Sequence, residues 1–257
     1  MSGLRMAISD TLVLAKRNFL RIPRAPDLML AFTVQPIMFV LLFAYVFGGA
    51  ITTPGQSYVD FLIPGILVQT MSFGGFVTAM GIAEDLRKGL IDRFRSLPMS
   101  RSAVLAGRTL ADIATNAISI TVMIVVGLII GFGFSTSFLE VLAGILLLLL
   151  FGYAFSWVFA FIGLTSSSPE AAQSLGFIII FPLTFVSSAF VPPETMPAAL
   201  QWFAEVNPFS TTVNAIRALF IGDPAGNSVW GATAWSVGIA VVFAVLAVAK
   251  YKRAVVR

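Results

Sequence analysis

The densest cluster of ionisable side chains is the stretch EDLRKGLIDRFRSLPMSR, residues 84–101. Glu84 and Lys88 stand four residues apart, in the order that favours an ion pair on a helix. Leu86, Leu90, Phe94 and Leu97 follow at spacings of 4, 4 and 3, so they share one helical face, and Pro98 ends the pattern. A short amphipathic helix of this kind serves as a docking surface for another protein. A solvated loop whose charges only fix topology has the same composition, and the residues alone do not choose between them.

Catalytic chemistry is poorly supplied. The chain has no His and no Cys, which removes imidazole bases, thiolate nucleophiles and most zinc sites. Its four lysines, Lys16, Lys88, Lys250 and Lys252, fit no G-x-x-x-x-G-K-[ST] phosphate cradle, so ATP hydrolysis on this chain is not expected. No catalytic residue, no metal ligand and no cofactor is assigned. Asp112, Glu140 and Glu170 sit near the ends of apolar stretches, and an ion-coupled carrier ordinarily places such groups near mid-membrane. Gln35, Gln69, Asn116 and Gln173 are uncharged polar residues within those stretches, suited to helix–helix hydrogen bonds or to lining a cavity.

The elements that carry these residues are membrane spans. The chain is 58% hydrophobic and only 11% charged, with mean hydropathy +0.95, against about 25% charged in ordinary globular domains. Crossing hydrocarbon about 30 Å thick takes about 20 apolar residues. Six uncharged runs are long enough, and they place spans at 28–48, 61–82, 112–133, 141–164, 171–190 and 231–249. The first is too long for a signal-peptide core and is expected to be retained. From about Ser102 the pattern stays helical to Phe132, so the third span should project beyond the bilayer.

Charge sets the orientation. Fifteen of the sixteen Lys and Arg fall in the segment before span 1, the span 2–3 loop and the tail, leaving only Arg217 on the other side. By the positive-inside tendency both termini are cytoplasmic. The net charge of +4 is therefore a membrane-edge feature, and no nucleic-acid partner is expected.

Two further segments have pattern. Ile8, Leu12, Ala15, Phe19 and Ile22 line one face of an amphipathic helix, with Lys16, Arg17 and Arg21 on other faces, and Pro23 and Pro26 break it before span 1. Such a helix lies at the lipid interface. The long connection 191–230 is expected outside. There Val191-Pro192-Pro193 should stop span 5, and Pro197 should open a short helix. Asn207 should cap a second helix with Pro208 at its first position, and Gly222 should end it. Phe209, Val213, Ile216 and Phe220 share one face, and Trp202 and Trp230 suit an interfacial position. We expect a re-entrant helical pair that enters the outer leaflet without crossing, the alternative being a folded external loop.

Taken in order, these features resemble the transmembrane subunit of type-2 ABC exporters of the daunorubicin-resistance permease kind. The resemblance rests on the 84–101 stretch with its "LPMSR", and on Pro182, Ser187-Ser188, "FVPPETMP", "NPFS" and Arg217 in sequence, and it covers essentially the whole chain. It implies an all-α integral membrane protein of six spans, multi-pass in the bacterial cytoplasmic membrane. It implies that Glu84, Asp85, Arg87, Lys88, Gly89, Leu90, Phe94, Leu97 and Pro98 belong to a coupling helix, 84–98, docking in a groove of a separate ATPase that holds ATP and Mg. Lys16, Arg17, Phe19 and Arg21 would form a second contact with that subunit. Two permease subunits would pair around a pathway faced by spans 1, 2 and 5, with Pro192, Pro193, Pro197, Asn207, Pro208 and Arg217 shaping its exit. The cargo would be an amphipathic drug, a lipid or another hydrophobic compound. An ion-coupled carrier and a membrane assembly scaffold are the competing readings.

Overall fold

The structure, a computed structural model, describes residues 26–48, 51, 57–89 and 101–254, with side chains over 34–46, 48, 51, 57–89 and 105–251. No strand occurs among the described residues. The expected interfacial helix with Lys16, Arg17, Phe19 and Arg21 lies outside them, as do Leu90, Phe94, Leu97 and Pro98.

The helices are α1, Pro26–Leu41, running on into a π-helical turn Leu42–Phe47; α2, Tyr58–Phe73; α3, Gly75–Arg87; α4, Arg101–Ile130; and α5, Phe138–Thr165. There follow α6, Pro169–Phe185; α7, Ala198–Val206; α8, Pro208–Ile221; and α9, Ser228–Ala254. Among the described residues, four stretches are long and apolar enough to cross a membrane: Tyr58–Arg87, Leu105–Ile130, Phe138–Thr165 and Ser228–Tyr251. The apolar helices Val34–Val46 and Pro169–Phe185 are shorter.

Caps set the boundaries. Ser57 caps α2 by accepting from Asp60 N at 3.1 Å. Glu140 is a capping-box residue: its carboxylate accepts from Ser137 N at 2.8 Å, while the Ser137 hydroxyl accepts from Glu140 N at 3.4 Å. Ser168 caps α6, with Pro169 and Glu170 in the first turn. Both glutamates thus serve the positive ends of helices.

One expected boundary is corrected. α6 ends at Phe185, well before the Pro192-Pro193 pair. Val186 leaves helical geometry, and the side chain of Asn207 takes up the freed carbonyls of Leu183 and Val186. Of the expected coupling helix 84–98, residues 90–98 lie outside the described residues. Glu84, Asp85 and Arg87 form the last turn of α3, and Gly89, at φ +65°, supplies the left-handed residue that stops it.

α5 occupies the centre, packed by α2, α3, α4, α6, α8 and α9. Its apolar residues run all round, as a helix enclosed by others requires. Small residues let neighbours close in. A Cβ on Gly144 would lie 2.5 Å from the ring of Phe220, and one on Gly163 would lie 2.5 Å from the Ala79 carbonyl oxygen.

Candidate functional site

α8 is positioned by Asn207 and Pro208, as its sequence indicated. The Asn207 side-chain oxygen accepts from Phe209 N at 2.9 Å, Pro208 opens the helix, and Gly222, at φ +82°, closes it. Phe209, Val213, Ile216 and Phe220 are fully buried on the apolar stripe. A second, polar stripe runs beside it at spacings of 3, 4 and 3: Asn207, Ser210, Asn214 and Arg217. It faces the turn that follows α6. Ser188 N donates to Ser210 Oγ at 3.0 Å, and Ser188 Oγ donates to Asn214 Oδ1 at 2.9 Å.

Arg217 completes this stripe and is only 4% exposed. Its Nε and Nη2 donate to the Phe61 carbonyl at 3.0 and 2.8 Å. Nη2 also donates to the Ser188 carbonyl at 2.7 Å, and Nη1 reaches Asn214 Oδ1 at 3.4 Å. The guanidinium stacks on the Phe61 ring, 3.5 Å from its centroid. One cation therefore joins the start of α2, the turn after α6 and the body of α8. Alongside, the Tyr58 hydroxyl donates to the Phe190 carbonyl at 3.2 Å. Gly65 lets α2 approach the Ala189 backbone so closely that a Cβ would fall 2.8 Å from the Ala189 carbonyl carbon.

Pro192, Pro193 and Pro197 belong to the connection rather than to this clamp. Pro192 precedes and Pro193 opens a short 3-10 turn, Pro193–Thr195, and Pro197 precedes α7.

The opposite end has its own tie. Asp85 on α3 pairs with Arg108 on α4 at 3.0 Å, both about one-fifth exposed. The Arg108 guanidinium lies directly over Gly81, in space a Cβ would occupy. Glu84 and Lys88 form the expected ion pair at 2.7 Å on the exposed side of the turn.

Between the two ends, α4 presents polar groups to α3 and α5. Thr78 Oγ1 donates to Asp112 Oδ2 at 2.7 Å. Asn116 is wedged between glycines: a Cβ on Gly74 would lie 2.6 Å from its Oδ1, and one on Gly152 would lie 2.5 Å from its Nδ2. Gln69 Nε2, Asn116 Nδ2 and Thr184 Oγ1 are buried without a protein partner. Among the described residues no group of three or more Asp and Glu gathers as a metal site would require.

Sequence reasoning singled out Arg217, Asn207 and Pro208, and noted Ser188 in the family resemblance, but missed Phe61, Gly65 and Asn214. The 3-4-3 spacing of the polar stripe was the available signal. The carbonyls it seeks leave none.

The sequence that forms these helices matches a known group along most of its length. The profile described as "ABC-2 type transporter" matches residues 9–221. The chain belongs to the ABC-2 type transporter family. Within that family it is 34% identical over 246 residues to the daunorubicin resistance ABC transporter permease protein DrrB1 of Streptomyces coeruleorubidus, covering 96% of this chain and 87% of the relative. It is 25% identical over 251 residues to the probable doxorubicin resistance ABC transporter permease protein DrrC of Mycobacterium tuberculosis, covering 97% and 91%. A putative transport permease, ycf38, of Cyanophora paradoxa is 25% identical over 217 residues, covering 83% and 74%. The matched region of this ABC-2 chain includes the clamp, from Tyr58 to Arg217, and the α3–α4 tie.

Proposed function

We propose that this chain is the membrane-spanning permease subunit of an ATP-binding-cassette drug exporter. The carrying observation is the likeness to the daunorubicin resistance permease, which extends over 96% of the chain. In this reading α1, the unit α2–α3, α4, α5, α6 and α9 are six spans, with the residue 84–101 end cytoplasmic and the α7–α8 pair re-entrant from outside. A separate ATPase, which holds ATP and Mg, docks on the segment that starts at Glu84. A second permease subunit completes the pathway, and the cargo is an amphipathic drug, a lipid or another hydrophobic compound.

The two ties support a mechanical role. Arg108 and Asp85 fasten α3 to α4 at the docking end, so force applied there enters two helices together. At the other end Arg217 fastens α2 to α8 and to the turn after α6. Because α2 and α3 meet at Gly74, the two ties act on one interrupted span.

The test is co-purification from detergent of the full chain with its candidate ATPase, with residues 84–98 native or scrambled, followed by ATP-driven transport in vesicles. Binding lost only on scrambling, and transport that requires hydrolysable ATP, are the expected results. Transport driven by an ion gradient without the ATPase would replace this reading with an ion-coupled carrier.

A further inference from the structure

The unit α2–α3 is one span with a flaw near its middle. Gly74 alone separates the two helices, although its backbone keeps helical angles, φ −54° and ψ −29°. Gly74 N donates to the Thr70 carbonyl at 3.1 Å, the last step of the α2 ladder. A ladder that stops at Phe73 and restarts at Gly75 omits the next step, from Gly75 N to the Met71 carbonyl. The approach to this point is already loosened. The hydroxyls of Thr70 and Ser72 donate to the carbonyls of Ile66 and Val68, at 2.7 and 3.1 Å, an arrangement that bends helices.

A donor stands beside the gap. The position a Cβ would take on Gly74 lies 3.6 Å from the Met71 carbonyl oxygen and 2.6 Å from Asn116 Oδ1. The other side of the same amide, Nδ2, is turned to Gly152 without a protein partner, and Asn116 is 3% exposed. A carbonyl left out of its ladder and an amide N–H without an acceptor each cost free energy in hydrocarbon, and a bond between them recovers it. The chain uses this pairing elsewhere. Where α6 ends, Asn207 Nδ2 takes the carbonyls of Leu183 and Val186.

We infer that Gly74 is a hinge within this span and that the Asn116 amide is its latch. In this structure the joint keeps helical angles and the latch is open. Bending at Gly74 turns the Met71 carbonyl outward, and a half-turn of the amide about its last side-chain bond brings Nδ2 to it. The arms are gripped at their far ends, α2 by Arg217 and α3 by the Asp85–Arg108 pair, so a load between those grips falls on the joint. The inference rests on the exporter reading only for what drives the bend.

The chain has no cysteine, so introduced thiols take spin labels cleanly. Labels on Arg87→Cys, at the end of α3, and Ser167→Cys, between α5 and α6, both exposed positions, report the swing of α3 against α5. The labelled chain, shown to bind the ATPase, is diluted into excess unlabelled chain. The label-to-label distance is then measured in the complex with and without a non-hydrolysable ATP analogue. α3 has 13 residues, about 20 Å, so a bend of about 15° moves its end by about 5 Å. A shift of that size is expected on adding the analogue. Asn116→Leu and Asn116→Val, which lack the donor, should abolish it. Gly152→Ala crowds the same amide but leaves its N–H groups, and should retain the shift. Daunorubicin transported per ATP hydrolysed should fall about 5- to 10-fold in both Asn116 variants, the scale of one buried hydrogen bond.

No shift with Asn116 intact overturns the inference, and so does a shift of full size in Asn116→Leu. Loss of the shift in Gly152→Ala as well also overturns it, because packing at this point, and not the donor, then governs the joint. An Asn116-dependent shift without ATP-driven daunorubicin transport would remove the exporter reading and leave the hinge standing. Transport without the shift would do the reverse.

Discussion

The guanidinium of Arg217 and the backbone carbonyl of Phe61, 156 residues apart in sequence, are joined by two hydrogen bonds of 3.0 and 2.8 Å. A charged donor gripping a main-chain oxygen is a tie that no change in the partner's side chain removes. Arg217→Ala should therefore cost about 2–4 kcal/mol, since it strips buried carbonyls of a charged donor. Arg217→Lys should recover less than half, because an ammonium lacks the planar fork. Thermal unfolding followed by tryptophan fluorescence reads both, and a wild-type midpoint for Arg217→Ala would refute the clamp.

Gly65 and Gly238 should respond in opposite directions to alanine. At Gly65 the added methyl meets the Ala189 backbone, which cannot rotate away, and a loss of about 2 kcal/mol is expected. At Gly238, exposed on α9, nothing lies within 4 Å of the new Cβ. The gain in helix preference should stabilise by roughly 0.5–1 kcal/mol. Midpoints measured side by side in one detergent decide the pair.

Gly81→Ala should act through Arg108. The new methyl occupies the bed of the guanidinium, which can swing aside at little cost in stability but then leaves Asp85. ATP-driven transport should fall while ATPase binding persists. In the Gly81→Ala background, Asp85→Asn should have no further effect, although alone it lowers transport. Additive losses would show that the ion pair survives the substitution.

Asn116 and Gly152 should compensate. Gly152→Ala pushes on the amide and Asn116→Ala leaves a void, each costing about 1–3 kcal/mol. The double variant puts the methyl into the vacated space, so its loss should fall short of the sum by about 1 kcal/mol or more. A fully additive double variant would mean that the two residues do not touch.

Side-chain pattern carried the long apolar helices, the caps at Asn207 and Pro208, the stop at Gly222 and the Glu84–Lys88 pair. Each depends on residues close in sequence. The end of α6 was misplaced because its cause is remote: Asn207 binds the Leu183 and Val186 carbonyls from 24 and 21 residues away. Glu140 and Glu170 drew notice as charges at span ends; Glu140 closes a capping box with Ser137, and Glu170 lies in the first turn behind the Ser168 cap. Arg217 stood out as the one basic residue away from the rest. Its partners are main-chain oxygens, which every residue has, so no pattern of side chains could point to them.

The side chain of Asn207 faces two helices at once, its oxygen turned to the first turn of α8 and its nitrogen to the last turn of α6. Aspartate would keep the first contact and set a negative charge against the carbonyls of the second. Serine would keep the first but lacks the reach and the two protons needed for the second. Glutamine has both groups but on a longer arm. Position 207 therefore has a vocabulary of one residue. Related chains that keep this junction should spell it with asparagine even where the surrounding sequence has drifted beyond alignment.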